Sequence, residues 1–340
     1  MLLQTKPTVT LPDLYTSRPA TMEDLNGVVN LLNANSIALI GVADVTKNEI
    51  RTFWTAPKFE IGNSTRVVCT ESGKIVGYSD IEDTSSVPVH PFVWGCVHPE
   101  YTGQGIGSYL FNWAESRAYQ VIDRVPLHAR VAARTYSLST DIETQQLYEA
   151  NGFQIIRHFL RMEVTLNNKP HPSQLPDGIK IVTKAEFDDL WPIFLAFDES
   201  FKDHWGHVER PLEEEFEEWK YENANDDKHD PTLWFLAMEE DEITAVCLCK
   251  PSSDEDPDMG WVNIIGVRPA WRRQGIGLAL LNHSFQEFYK RGKQKVGLGV
   301  DADSLTGATK LYEKAGMKQT RQSDTYEKEL RSGEDLGKRS

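Results

Sequence analysis

Residues 260–281 read GWVNIIGVRPAWRRQGIGLALL. An apolar strand runs into a short turn, then a glycine-bearing loop led by Arg272 and Arg273, then an amphipathic helix. N–H groups at a helix N-terminus lack intrahelical partners and lie at the positive end of the helix dipole, so a loop of this kind is an anion cradle. Gly275 and Gly277 let the backbone approach a pyrophosphate without a Cβ in the way. Arg272 and Arg273 can add charge-assisted hydrogen bonds. A tight strand–helix turn with glycine for packing would look similar. A second copy decides against it: VHPEYTGQGIGSYLFNWAE from Val97 matches VRPAWRRQGIGLALLNHSF from Val267, and LYEANGF from Leu147 matches LYEKAGM from Leu311.

Around these copies the same order of elements repeats. In the first half, strands are expected at Tyr15 to Ala20, Arg66 to Thr70, Ile75 to Ile81, Val89 to Val97, Leu127 to Ala133 and Phe153 to Val164. Helices are expected from Thr21, near Lys47 to Trp54, through about Tyr119, and over Asp141 to Ala150. The stretch NNKPHPSQLPDG, with three prolines, reads as a linker. In the second half, strands fall at Ile179 to Thr183, Leu233 to Met238, Ile243 to Lys250, within the opening stretch, at Lys295 to Val300 and from Met317. Helices fall at Glu186 to Phe197, Pro211 to Glu222, after the loop, and at Gly307 to Ala315. Leu212, Phe216 and Trp219 share one face of the second of these, with glutamates around the others, which reads as a solvated helix. The expected division is a lead-in over residues 1–14, a domain over 15–166, a linker over 167–178, a second domain over 179–330 and a disordered tail over 331–340.

A chain of 340 residues, 40% hydrophobic, is long enough for two cores. A net charge of −15 argues against a nucleic-acid partner, since no Lys/Arg field is available to displace counterions, and it suits an amine-bearing substrate. Four cysteines without a CxxC pair point to a reducing, cytoplasmic setting; Cys247 and Cys249 would share one face of a strand. The N-terminus has no signal-peptide layout, and no apolar run approaches a membrane span. His204 and His207 lack further ligands nearby for a metal site, and none is expected. The sequence carries no signal for oligomeric state. The glycines lie late in each half and lack a third glycine, which disfavours a dinucleotide-binding fold; the Lys-Ser/Thr of a nucleotide-hydrolysing loop is absent.

The pattern resembles the Gcn5-related N-acetyltransferase (GNAT) superfamily, whose signature is Arg or Gln, two residues, Gly, one residue, then Gly or Ala. Arg272 to Gly277 fits in full, as do Val267-Arg268-Pro269 and Leu311 to Gly316. The tandem layout is similar to the two-domain mycothiol synthase type. The resemblance implies an α/β (α+β) fold: two tandem domains, each a mixed, mostly antiparallel sheet flanked by helices. It implies an enzyme that uses acetyl-CoA as cosubstrate to acetylate a small-molecule amine, with the active site in the second domain. Val267, Arg272, Arg273, Gln274, Gly275, Ile276, Gly277 and Ser304 would hold the coenzyme, with the Val267 N–H as donor to the thioester carbonyl. Val97, Gly103, Gln104, Gly105 and Gly107 are their counterparts in the first copy, where Thr102 stands in place of Arg or Gln. Tyr312 is the implied catalytic acid, and Tyr148 is its counterpart. The strand before the loop, Trp261 to Val267, contains no acid to serve as base, which leaves Asp203, His204, His207 and Glu209 on the loop FKDHWGHVER as candidates. The missing acid keeps a non-catalytic acyl-CoA-binding protein open as an alternative. A protein N-acetyltransferase, with an open groove, is another.

Overall fold

A computed structural model describes residues 9–170, 172, 174–304 and 307–337. The chain forms two compact units, one of Met1–Ile156 with Asp324–Leu336 and one built on Arg157–Ser323.

The first unit contains β1 (Tyr15–Arg18), α1 (Leu25–Ile40), α2 (Lys47–Trp54), α3 (Ile61–Ser64), β2 (Thr65–Thr70), β3 (Ile75–Glu82), β4 (Phe92–Val97), α4 (Ile106–Tyr119), β5 (Val131–Leu138), α5 (Ile142–Ala150) and the start of β6 (Gln154–Thr165). Thr21 and Asp24 form a capping box on the 3-10 turn that opens α1, and Thr46 and Glu49 form another on α2, which satisfies N–H groups the helices leave unpaired. The second unit takes the rest of β6, then β7 (Ile179–Thr183), α6 (Trp191–Phe201), α7 (Leu212–Asn225), β8 (Trp234–Glu239), β9 (Glu242–Lys250), β10 (Met259–Val267), α8 (Ile276–Lys290), β11 (Lys295–Asp301), α9 (Ala308–Lys314) and the first part of β12 (Lys318–Arg331).

Both sheets are mixed and mostly antiparallel, as the resemblance implies. The strand order is β1-β2-β3-β4-β5-β12 in the first unit and β12-β6-β11-β10-β9-β8-β7 in the second. β4 with β5 and β10 with β11 pair in parallel. Helices cover both faces: α8 packs Leu280, Leu281, Phe285 and Phe288 on one side of the second sheet, and α6 and α7 pack Phe194 and Trp219 on the other. Arg210, just ahead of α7, lies against Glu214, Glu215 and Glu218 of that helix, so part of the acidic face is neutralised within the protein.

Four expectations need correction. The strand Gln154–Thr165, expected to close the first domain, pairs Phe159 to Thr165 with Asp301 to Lys295 of β11 in the second unit. The first sheet is closed instead by the end of the chain: Tyr326 is fully buried beside Tyr148, and Glu327 bonds Arg130 and Arg134. The tail is therefore placed through residue 337. The Arg331 guanidinium donates to the carbonyls of Ala129 and Ile122, and Glu334 exchanges backbone bonds of 2.7 Å with Arg130 and His128. Residues 338–340, and 1–8 of the lead-in, lie outside the described residues. β5 runs later than Leu127 to Ala133 because Thr135 and Ser137 are buried polar residues within it. Helix α6 starts at Trp191, not Glu186, with Pro192 in its first turn, where a missing N–H costs nothing.

Candidate active site

In the second unit β10 and β11 pair in parallel from Met259↔Lys295 to Val262↔Leu298 and no further. β10 continues along β9 to Val267, while β11 continues along β6 to Asp301, so the two strands splay. A bulge at Asn263 marks the point of divergence. Arg268 N–H donates to Thr244 O on β9 at 3.0 Å. Because N–H direction alternates along a strand, the Val267 N–H points away from β9, toward the gap.

The loop after Val267 turns into α8 with Gly275 as N-cap at φ +88°. A Cβ at Gly277 would meet Leu311 Cδ1 and Val267 Cγ2, each at 3.4 Å, so this glycine lets α8 close on both β10 and α9. The first copy repeats the loop: Gly105 caps α4 at φ +81°, Gly103 has φ +71°, and Gly107 faces Val97 and Leu147. His98 N–H bonds Val76 O at 2.9 Å, so Val97 N–H is turned like Val267 N–H. β4 and β5 register only at Phe92↔Arg134, which gives the same splay. Gln104 Oε1 accepts from the Tyr15 hydroxyl, and Thr102 donates to Pro99 O.

Arg272 and Arg273 divide the labour. The Arg272 guanidinium binds the Asp203 carboxylate, Ser200 O at 3.0 Å and Val267 O at 3.0 Å, so it ties the loop to the end of α6. Arg273 is exposed and holds φ +63°, the left-handed conformation that Gly103 adopts in the other copy. An L-residue pays roughly 1–2 kcal/mol for that backbone, and strain of this kind tends to sit at functional positions. Arg273→Gly is expected to raise stability by up to about 1 kcal/mol and to weaken coenzyme binding about fivefold through loss of an exposed cation. Thermal melts and titration calorimetry on one preparation read both signs.

Tyr312 is buried on α9, within the cluster formed by Val267, Ile265 and Cys247. Burial pushes its hydroxyl above the ordinary phenol range, with the nearby Cys247 thiol adding to the shift. Cys247 and Cys249 share a face, as expected, with sulfurs 3.7 Å apart. Tyr148 holds the matching place in the first unit, with its hydroxyl 3.4 Å from Tyr136 O. Ser304 lies on the loop from β11 to α9, where its N–H meets Asp301 O at 3.2 Å.

The loop carrying the candidate bases stands over the ends of these strands. Trp205 lies 5.4 Å from the Arg157 guanidinium, which in turn grips Asp301 at the end of β11 through bonds of 2.9 Å. The Arg272 guanidinium holds the Asp203 carboxyl below its ordinary range, which makes it a poor proton acceptor. His204 is half-buried against Phe201, ring to ring at 4.4 Å; burial lowers its pKa, opposed by the nearby Asp203 and Asp301 charges. His207 N–H bonds His204 O, which shapes the same turn. The Asp203–Arg272 and Arg157–Asp301 pairs were not read from the sequence: the partners are far apart in the chain, and no local pattern joins them. Among the described residues no three His, Cys, Asp or Glu side chains converge as metal ligands, and no helix is long and apolar enough to cross a membrane.

Each unit thus combines a splayed parallel pair of strands with a glycine-capped loop opening a helix, the setting of an anion site. The model of the acetyltransferase (GNAT) family matches residues 190–317, and that of an acetyltransferase (GNAT) domain matches residues 62–155. The chain is 30% identical to a GCN5-related N-acetyltransferase from Sphaerobacter thermophilus, with a TM-score of 0.77 over 96% of this chain and 99% of that one. A tandem GNAT protein from the clavulanic acid biosynthesis pathway shares the fold at 13% identity, with a TM-score of 0.69 over 94% of this chain and 100% of that one. A mycothiol acetyltransferase of Nocardia farcinica is 26% identical over 87% of this chain and 91% of its own length, and one of Streptomyces scabiei is 27% identical over 75% of each. The chain belongs to the GNAT acetyltransferase family, as a tandem of two such domains, and is an N-acetyltransferase.

Proposed function

We propose that this enzyme transfers acetyl from acetyl-CoA to a primary amine of a small molecule, with the active site in the second unit. The observation that supports this reading is the fork between β10 and β11, with the Gly275-capped helix packed against Val267 through Gly277 and Tyr312 in the same cluster as Val267. The glycines fit the coenzyme: a Cβ at Gly275 would meet nothing within 4 Å, so the loop's outer side is open to a pyrophosphate. Arg273, Gln274, Gly275, Ile276 and Gly277 would hold the phosphates through backbone N–H groups and the Arg273 charge. The coenzyme supplies the acetyl thioester.

The chain's own groups then divide the work. Val267 N–H is directed into the fork, where it can stabilise negative charge on a carbonyl oxygen. The Tyr312 hydroxyl keeps its proton at working pH and can give it to a departing sulfur. His204, with a lowered pKa, is neutral at pH 7 and can take the proton of an incoming ammonium. Its ordinary value of 6.5 is depressed, so the acidic limb of kcat/KM should lie below that pH and vanish in His204→Gln. A pH–rate profile of both proteins checks this.

The function is tested by titrating acetyl-CoA calorimetrically and by screening amines for CoA release. The names of the curated relatives make a deacetylated mycothiol-type amine the first acceptor to try. No acetyl-CoA binding, or no amine that releases CoA, would overturn the reading.

A further inference from the structure

The first unit differs from the second on the face of the sheet covered by α1 and α2. The pair Gly77↔Val97 corresponds to Ala245↔Val267, so the strands can be compared position by position. Where the second unit buries Val246 and Leu248 in an apolar cluster, the first places Tyr78 and Asp80. Where the second has Gly266 and Ile264, the first has Cys96 and Trp94. A carboxylate has thus replaced a leucine in the middle of a sheet, a costly exchange unless something pairs with the charge.

Nothing cationic within the described residues pairs with it. Asp80 is 8% exposed. Its polar neighbour is the Tyr78 hydroxyl, which also accepts a 2.9 Å bond from Trp54 Nε1, and the charge acting on it is the further acid Glu82. Burial first, and Glu82 with it, pushes Asp80 up to about 7. Tyr136 lies on the part of β5 beyond its register with β4; burial of its hydroxyl first, then Asp44, Asp80 and Cys96, push that hydroxyl up. The residue as a whole is 42% exposed, and its ring stacks on Phe92 at 5.9 Å. Trp94, Cys96 and Asp44 are half-buried, so this face opens outward at Tyr136. The walls are aromatic, and no third carboxyl, His or Cys completes a metal set among the described residues. Aromatic faces around a carboxylate select an organic ammonium over a hard metal ion, which wants six or more oxygens.

We propose that the first unit holds its own binding site for a small primary ammonium, with Asp80 as its counter-ion and Trp94 and Tyr136 as its walls. The site lies on the first unit's own sheet and is separate from the acceptor cleft assigned above. The Asp80–Tyr78–Trp54 chain fixes the carboxylate, and the fork between β4 and β5 stands beside it.

Benzylammonium is the probe, benzyl alcohol its neutral counterpart, and the full chain the protein. The readout is the indole 15N–1H signal of Trp94, assigned with Trp94→Phe. Benzylammonium should shift this signal to saturation, and benzyl alcohol should leave it in place. Asp80→Asn keeps the shape of the side chain, and Asp80→Leu copies Leu248 of the second unit; both should weaken binding at least tenfold while the remaining indole signals stay put. Equal affinity in either folded variant, equal response to the alcohol, or no shift with benzylammonium would overturn the proposal. The readout does not depend on turnover, so a Tyr312→Phe enzyme that is inactive yet retains the Trp94 shift separates this site from the second-unit reaction.

Discussion

Tyr312→Phe is expected to lower kcat by about 10²-fold or more, with the KM for acetyl-CoA little changed. The substitution removes one oxygen from a residue that is 6% exposed and leaves the ring in its cluster with Val267, Leu311 and Cys247. The fold of α9 should therefore survive, since Ala308–Lys314 is held by that ring and by the bond from Met317 N to Tyr312 O at 3.0 Å. What disappears is the hydroxyl proposed as the proton donor. A sulfur leaving without a donor would depart as a bare thiolate, and away from water such a charge is costly. An effect seen in kcat alone marks an interaction made only in the transition state, whereas a loss of binding would appear in KM. Steady-state kinetics with an accepted amine, alongside calorimetric acetyl-CoA affinity, measure both. Full turnover in the variant would remove Tyr312 from the reaction.

Tyr326→Ala is the largest expected change in stability. Tyr326 is fully buried and packs against Tyr148, with Phe111 and Phe153 in the same cluster. Truncating a buried aromatic costs about 3–5 kcal/mol, which in a unit of this size lowers Tm by about 10 °C. The damage should fall on the first unit, although the residue lies near the end of the chain, because Asp324–Leu336 belongs to that unit. The neighbouring bonds of Glu327 to Arg130 and Arg134, and of Lys328 to Glu115, would loosen with it. Amide hydrogen exchange tests this: protection should fall in β5 and α4 and persist in β8, β9 and β10. Loss of protection confined to the second unit would contradict the strand assignment.

Much of the local structure was legible in the sequence because its causes are local. The helix Lys47–Trp54 is announced by its Thr46–Glu49 cap, and both glycine loops by left-handed positions that few other residues take. The strand Val131–Leu138 was displaced in the reading because Thr135 and Ser137 look like loop residues and are buried. The identity of each sheet's partner strand was not legible. Nothing in the alternation of Gln154–Thr165 says that it will lie against Lys295–Asp301. At the site, the glycine loop stands out in the sequence by its repeat, Tyr312 comes only from the family resemblance, and the loop FKDHWGHVER offers several candidate bases without choosing among them. The work of Arg272 could not: as a sequence it is a phosphate ligand, and in the fold its guanidinium is spent on Asp203 and two carbonyls. Asp80 stands between Ser79 and Ile81 in the interior of β3, and an acid at a buried interior position of a strand is the local signal for it.

The exchange of closing strands also sets an order of events during synthesis. As the chain leaves the ribosome, residues through Ile156 emerge first, yet the strand that completes their sheet comes after the whole of the second unit. Until residues 324–331 are released, β5 presents an uncovered edge and the cluster around Tyr148 lacks Tyr326. The usual N-terminal-first sequence of domain folding is therefore inverted at its last step, and of the two units the one that emerges earlier is sealed later.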